Sequence, residues 1–189
     1  MDNHDVAIIF GGPMSVNDLN MSYIKYEIDW INVILESKKP FLGICLGAQM
    51  LIKNLGGKVE YNAENSSEIG FFNIKPTTSG LNLFKDQKTF FHWHNEGFNL
   101  PSCCELLVEG KRFKNQAFKC NKCFGVQFHP EVNFRLHLLW LYYVSLYSPR
   151  KLKVNGAQNL IKQMNLRIKH NQNISLWLDN FLDNYLLNQ

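Results

Sequence analysis

At 189 residues, 46% of them hydrophobic and 13% aromatic, the chain holds enough apolar material for one buried core, so a single domain over residues 1–189 is expected. Charged residues make up 19% and the formal net charge is +4, a mild balance that gives no sign of a polyanionic partner such as nucleic acid. The most apolar run, residues 138–144, falls far short of the ~20 residues that span a bilayer, and residues 1–5 carry no basic leader, so neither a membrane partner nor a secretory signal is expected. The chain reads as cytoplasmic, and its five cysteines read as reduced thiols rather than a disulfide framework.

Residues 6–10 form a short apolar, β-branched run that stops at Gly11-Gly12-Pro13, the pattern of a buried strand feeding a tight loop. Ile24, Ile28, Ile31 and Leu35 then recur at helical spacing over residues 22–39, and Pro40 breaks the pattern before a second apolar run at 41–45. Strand, helix, strand predicts a βαβ unit with parallel strands, which brings the Gly11-Gly12 loop and Cys45 to the same sheet edge. A helix is predicted over 48–55, ending at Gly56-Gly57, with further strands at 71–75 and 89–93. Runs at 116–118 and 124–128 flank Asn121-Lys122 and predict a hairpin whose second strand delivers His129-Pro130-Glu131. Ile174, Trp177, Leu178, Phe181, Leu182 and Tyr185 predict an amphipathic helix near the end of the chain. Between Val132 and Leu178 there are basic residues, Arg167 among them, but no acidic ones, which reads as a solvated helical face.

Gly43-Ile44-Cys45-Leu46-Gly47 sets a cysteine between glycines where a strand turns into a helix. Small flanking residues let the chain reverse sharply, and a helix N-terminus stabilises a thiolate, so Cys45 is the candidate nucleophile. His129 and Glu131 supply what a thiol nucleophile needs next, an imidazole to exchange the proton and a carboxylate to orient it.

Gly11-Gly12-Pro13-Met14-Ser15-Val16, residues 40–49, His92-Trp93-His94 and Gly125-Val126-Gln127-Phe128-His129-Pro130-Glu131-Val132 together resemble the class I glutamine amidotransferases, and within them the free-standing GMP synthase-like branch. Glu68-Ile69-Gly70 and Gln116-Ala117-Phe118 extend the resemblance across most of the chain. It implies a three-layer α/β fold with a mostly parallel, doubly wound, flavodoxin-like sheet, an added β-hairpin region and C-terminal helices. It also implies hydrolysis of the glutamine side-chain amide through a γ-glutamyl thioester on Cys45, with backbone N–H groups of Gly12 and Leu46 as oxyanion hole. By the same resemblance Gln49, Gly11 and His94 bind substrate, ammonia passes to a synthetase partner, and no cofactor or metal is needed.

Three features depart from the pattern. Trp93-His94-Asn95-Glu96-Gly97-Phe98 stands where the family commonly reads Trp-His-Gly-Asp-Thr-Phe, so a histidine packed on neighbouring aromatics is the competing reading for His94. Cys120-Asn121-Lys122-Cys123 offers two ligands where a structural zinc site needs four, and the adjacent Cys103 and Cys104 are poorly spaced to help, so incidental thiols on a turn are expected. Related domains begin with a strand, a helix and another strand before the one ending in Gly-Gly-Pro, whereas five residues precede Val6 here, so an N-terminally incomplete domain with an exposed strand edge is expected. Two other readings remain: a γ-glutamyl peptide hydrolase using the same three residues, and a non-catalytic binding fragment whose interface includes Trp140, Tyr142 and Tyr143.

Overall fold

The computed structural model describes residues 3–188. Its first unit is the expected βαβ: strand β1 (Ala7–Ile9), helix α1 (Ser22–Ser37) and strand β2 (Phe41–Ile44), with Ala7 paired to Phe41 and Ile9 to Gly43 in parallel register. Helix α2 (Leu46–Asn54) follows at once. Strand β3 (Val59–Tyr61), β4 (Glu68–Asn73), β5 (Lys75–Pro76) and the short helix α3 (Leu81–Phe84) come next, then β6 (Thr89–His94), β7 (Glu96–Phe98) and β8 (Glu105–Glu109). The hairpin β9 (Asn115–Cys120) and β10 (Cys123–Val126) leads to α4 (Phe134–Tyr147), a 3-10 turn (Pro149–Lys153), α5 (Leu160–Phe181) and a π turn (Leu182–Leu186).

The main sheet runs β1-β2-β10-β9-β8-β5. Strands β1, β2 and β10 are parallel and carry the site, while β9, β8 and β5 continue as an antiparallel meander. Two antiparallel ribbons, β3–β7 and β4–β6, stand beside it. Alternation along the strands divides the core in two. Ala7, Phe41, Phe118 and Cys123 pack with α1 and α2 through Ile24, Ile31, Ile34 and Met50, while Leu42, Ile44, Phe124 and Val126 pack with Phe71, Phe91, Ile174, Trp177 and Phe181. Burial on both faces explains why β2 and β10 lack polar residues altogether, and each fully buried Phe stabilises the fold by roughly 1.5–3 kcal/mol. The layered α/β architecture expected from sequence is therefore present, with its hairpin and its C-terminal helices.

The boundaries differ where long-range contacts decide them. Helix α2 begins at Leu46 rather than residue 48, because Cys45 reverses the chain in a single residue with φ 51. Strand β4 covers Glu68–Asn73 rather than 71–75, because its full length pairs with β6, from Glu68 opposite His94 to Asn73 opposite Thr89. Strand β10 stops at Val126, two residues short of the expected end: Gln127 N still donates to Gln116 O at 2.8 Å, but His129 N turns away to Phe91 O at 2.8 Å. The terminal helix starts at Leu160, well ahead of its predicted apolar stripe. The basic stretch is not wholly solvated, since Arg167 is fully buried.

Candidate functional site

The site is built on the C-terminal ends of β1, β2 and β10. Cys45 sits between β2 and α2, its N–H donating to Val126 O at 2.8 Å and its O accepting from Gln49 N at 3.1 Å. Positive φ is strained for a residue with a side chain, and the neighbours hold it there. A Cβ on Gly47 would lie 2.2 Å from Ile9 O, so only glycine lets α2 pack this close to β1. A Cβ on Gly11 would meet His129 Cε1 at 2.7 Å and Cys45 Cβ at 3.2 Å, so the glycine loop is pressed against both side chains.

His129, fully buried among its neighbours, has Nδ1 at 2.7 Å from Glu131 Oε1, which leaves Nε2 for the thiol. Burial opposes the imidazolium, but the charges of Cys45 and Glu131 on either side overcome it and raise the His129 pKa to about 10. The Trp140 ring meets His129 edge-on at 5.2 Å, a contact that fixes the plane of the imidazole. Gln127 Nε2 donates to Cys45 Sγ at 3.6 Å. A cavity of about 540 Å³ opens above these groups, lined by Gly11, Gly12, Cys45, Leu46, Gln49 and His129 among others. Its other wall comes from Trp93, His94, Glu96, Trp140 and Tyr143.

Of the candidate site residues, Cys45, His129, Gly11, Gly12, Leu46, Gln49 and His94 line this cavity, and Glu131 joins them only through His129 Nδ1. Their polar atoms are not equally available. His94 Nδ1 donates to Glu96 O at 2.9 Å and its Nε2 lies 3.2 Å from Glu68 Oε2, so both ring nitrogens are engaged behind the wall, and its ring packs on Phe113 at 4.7 Å. Gln49 Nε2 donates to Glu96 O at 3.3 Å and to Gln127 Oε1 at 3.2 Å. Glu96 is the hub. Its carboxylate accepts from Ser15 Oγ at 3.0 Å and Asn17 Nδ2 at 3.2 Å, tying the loop after β1 to β7.

Several groups escaped the sequence reading. Glu68 is buried beneath the site, 3.1 Å from His92 Nδ1; burial would raise its pKa, but hydrogen bonds from His92 and His94 hold it below the usual carboxylate range. Arg167 on α5 stacks its guanidinium over Phe71 and Phe91, 4.8 and 5.3 Å from the ring centroids, and donates through Nε to His137 Nδ1 at 3.4 Å. Burial lowers the Arg167 pKa to about 10, and the Glu131 charge works against that fall. Polar residues inside apolar runs of the sequence, such as Gln116 and Gln127, were the available signal for buried networks.

Two clusters of described residues could hold a metal: Glu68, His92 and His94, already linked by hydrogen bonds, and Cys103, Cys104 and Cys120. The second brings Cys103 and Cys104, poorly spaced in sequence, close to Cys120 of the hairpin but not to Cys123. Burial pushes the thiols of Cys104, Cys120 and Cys123 up, Cys123 to about 11, so none of them is set up as a nucleophile.

Among the described residues no helix is long and apolar enough to cross a membrane. The family model for class I glutamine amidotransferases matches residues 1–139. The chain is 33% identical to a subunit of the glutamine-hydrolyzing GMP synthase of Sulfurisphaera tokodaii, over 70% of each protein. It is 36% identical to the glutamine-hydrolyzing GMP synthase of Wigglesworthia glossinidia brevipalpis, where the match takes in 66% of this chain but spans only 25% of that enzyme. A crystal structure of a glutamine amidotransferase from Thermotoga maritima superposes with a TM-score of 0.84 at 28% identity, covering 97% of this chain and 78% of that one.

Proposed function

Because the chain belongs to the class I glutamine amidotransferase family, we propose that it hydrolyses the side-chain amide of glutamine, with Cys45 as nucleophile, His129 as acid and base, and Glu131 as the group that orients His129. The observation that carries this reading is the 2.7 Å contact of Glu131 Oε1 with His129 Nδ1, together with the cavity that His129 and a buried cysteine at a helix N-terminus both line.

The Cys45 thiolate attacks the carboxamide carbon, and the carbonyl π electrons move onto oxygen. That oxyanion lies between the N–H of Leu46, the first residue of α2, and the N–H of Gly12, each donor contributing about 3 to 4 kcal/mol of transition-state stabilisation. His129 gives its proton to the amide nitrogen, the C–N bond breaks, ammonia leaves and a γ-glutamyl thioester remains. Water then gives a proton to His129 and attacks the thioester carbon; the C–S bond breaks and glutamate is released. A raised His129 pKa suits the first half of this cycle, because it keeps a proton on the imidazole for the departing amide nitrogen at neutral pH.

Relatives that are themselves named as one subunit of GMP synthase support a further part of the reading, in which ammonia passes to a synthetase partner. The test is glutamate release from glutamine by the purified chain. It is expected to vanish in Cys45→Ala without loss of fold, and release unchanged in that variant contradicts the assignment. Turnover of γ-glutamyl dipeptides in preference to glutamine would identify the peptide hydrolase instead.

A further inference from the structure

We propose that Cys103, Cys104 and Cys120 form a binding site for one thiophilic d10 ion, Zn²⁺, at the end of the sheet opposite the Cys45 cavity. The three side chains come from two separate parts of the chain. Cys103 and Cys104 close the turn between β7 and β8, where Cys104 N donates to Pro101 O at 3.0 Å, and Cys120 is the last residue of β9. Their sulfur atoms all lie within 4.8 Å of one another, and those of Cys103 and Cys104 are 3.9 Å apart. For four ligands at ~2.3 Å around a tetrahedral zinc, sulfur atoms stand ~3.8 Å apart, so this triangle is close to a coordination face. The frame is fixed on both sides: the hairpin turns within two residues, with Asn121 at φ 52 and Cys123 in register opposite Cys120, and Cys104 packs against the α1–α2 core.

The donor set is wholly sulfur, which selects a soft, thiophilic ion over magnesium or calcium. Burial is graded, with Cys120 buried, Cys104 half-buried and Cys103 exposed, so an ion has a path in from solvent, and water would complete its coordination. Binding replaces the three S–H bonds with Zn–S bonds and passes three protons to solvent, leaving a zinc tris-thiolate with one net negative charge. Cys123 pairs with Phe41 at the start of β2 whereas Cys45 follows its end, which sets the cluster ~13 Å from the nucleophile along the strand. At that distance the ion acts on the stability of the β7–β8 loop and the hairpin, not on the chemistry at Cys45.

The experiment uses the full chain carrying Cys45→Ala, so that the nucleophile does not compete for metal. After loading with Zn²⁺ and dialysis, elemental analysis is expected to find one ion per chain, and substitution by Cd²⁺ to give the ultraviolet charge-transfer band of cadmium thiolate. Adding Cys120→Ser, or separately the exposed Cys103→Ser, abolishes both signals, with circular dichroism reporting that each chain remains folded. Folded chains that hold no ion, or that keep the ion and the band after Cys103→Ser, overturn the proposal. Glutamate release by Cys103→Ser with Cys45 intact is expected to match the unsubstituted chain, which separates this site from the catalytic reading.

Discussion

His129 is buried with Glu131 on one side and Cys45 on the other. Burial lowers its pKa, Cys45 and Glu131 raise it, and the balance reaches about 10 against an ordinary 6.5. Because the folded value lies above the unfolded one, the folded chain binds more protons between them. The stability this provides is complete below pH 6.5 and is lost as pH rises through about 10. Cys45→Ala removes the leading raising influence, so the His129 titration, followed by its imidazole proton resonance, is expected to move down; an unmoved midpoint contradicts the pairing. Arg167 acts one layer further back. It helps burial to hold His137 down to about 4 and its charge interacts with Glu131. Arg167→Met is expected to raise the His137 titration above about 4, with burial still holding it below 6.5, and to slow glutamate release, roughly tenfold or about 1.4 kcal/mol of barrier. Unchanged kinetics would leave Arg167 with a packing role only.

At the scale of the element, the elbow between β2 and α2 does most to set the geometry. Gly47 admits Ile9 O where a side chain would stand, so Gly47→Ala must push α2 away from β1 and carry Leu46 N–H out of line with Gly12. The expected cost is about 1–3 kcal/mol in the urea-unfolding free energy, with a larger loss of glutamate release than that destabilisation explains. An unaltered unfolding midpoint contradicts the close approach. The elbow and its βαβ unit were legible in the sequence because their signals are local: a strand of apolar residues, a helix of period 3.6, then glycines about one cysteine. Strands β3 and β7 were not. Each is three residues long, too short for any period to show, and the contacts of Glu96 in β7 with Ser15, Asn17 and Gln49 form only when distant segments meet.

At the scale of the whole molecule, the sheet divides two cores and the site sits at the edge where three parallel strands end. Helix α5 closes the far face, burying Ile174, Trp177 and Phe181, and contributes Arg167 from a segment beyond the residues that the family model matches. This is why Arg167 read as one more solvated cation in a basic stretch: its partners Phe71, Phe91 and His137 are remote in sequence, and no local pattern announces a contact of that span. The same reason hid the meeting of Cys103 and Cys104 with Cys120. Among the described residues β1 forms one edge of the sheet, and Tyr23, Tyr26 and Trp30 on α1 stand exposed. Cys45, the proposed nucleophile, is nonetheless held from three directions, by β2, β10 and the loop after β1, so its position is set within this chain. The most direct test is to treat the chain with a glutamine-mimicking electrophile and map the adduct by mass spectrometry while following glutamate release. A single adduct on Cys45, forming in step with loss of release and absent in Cys45→Ala, is the predicted result; release that persists while Cys45 is fully modified contradicts it.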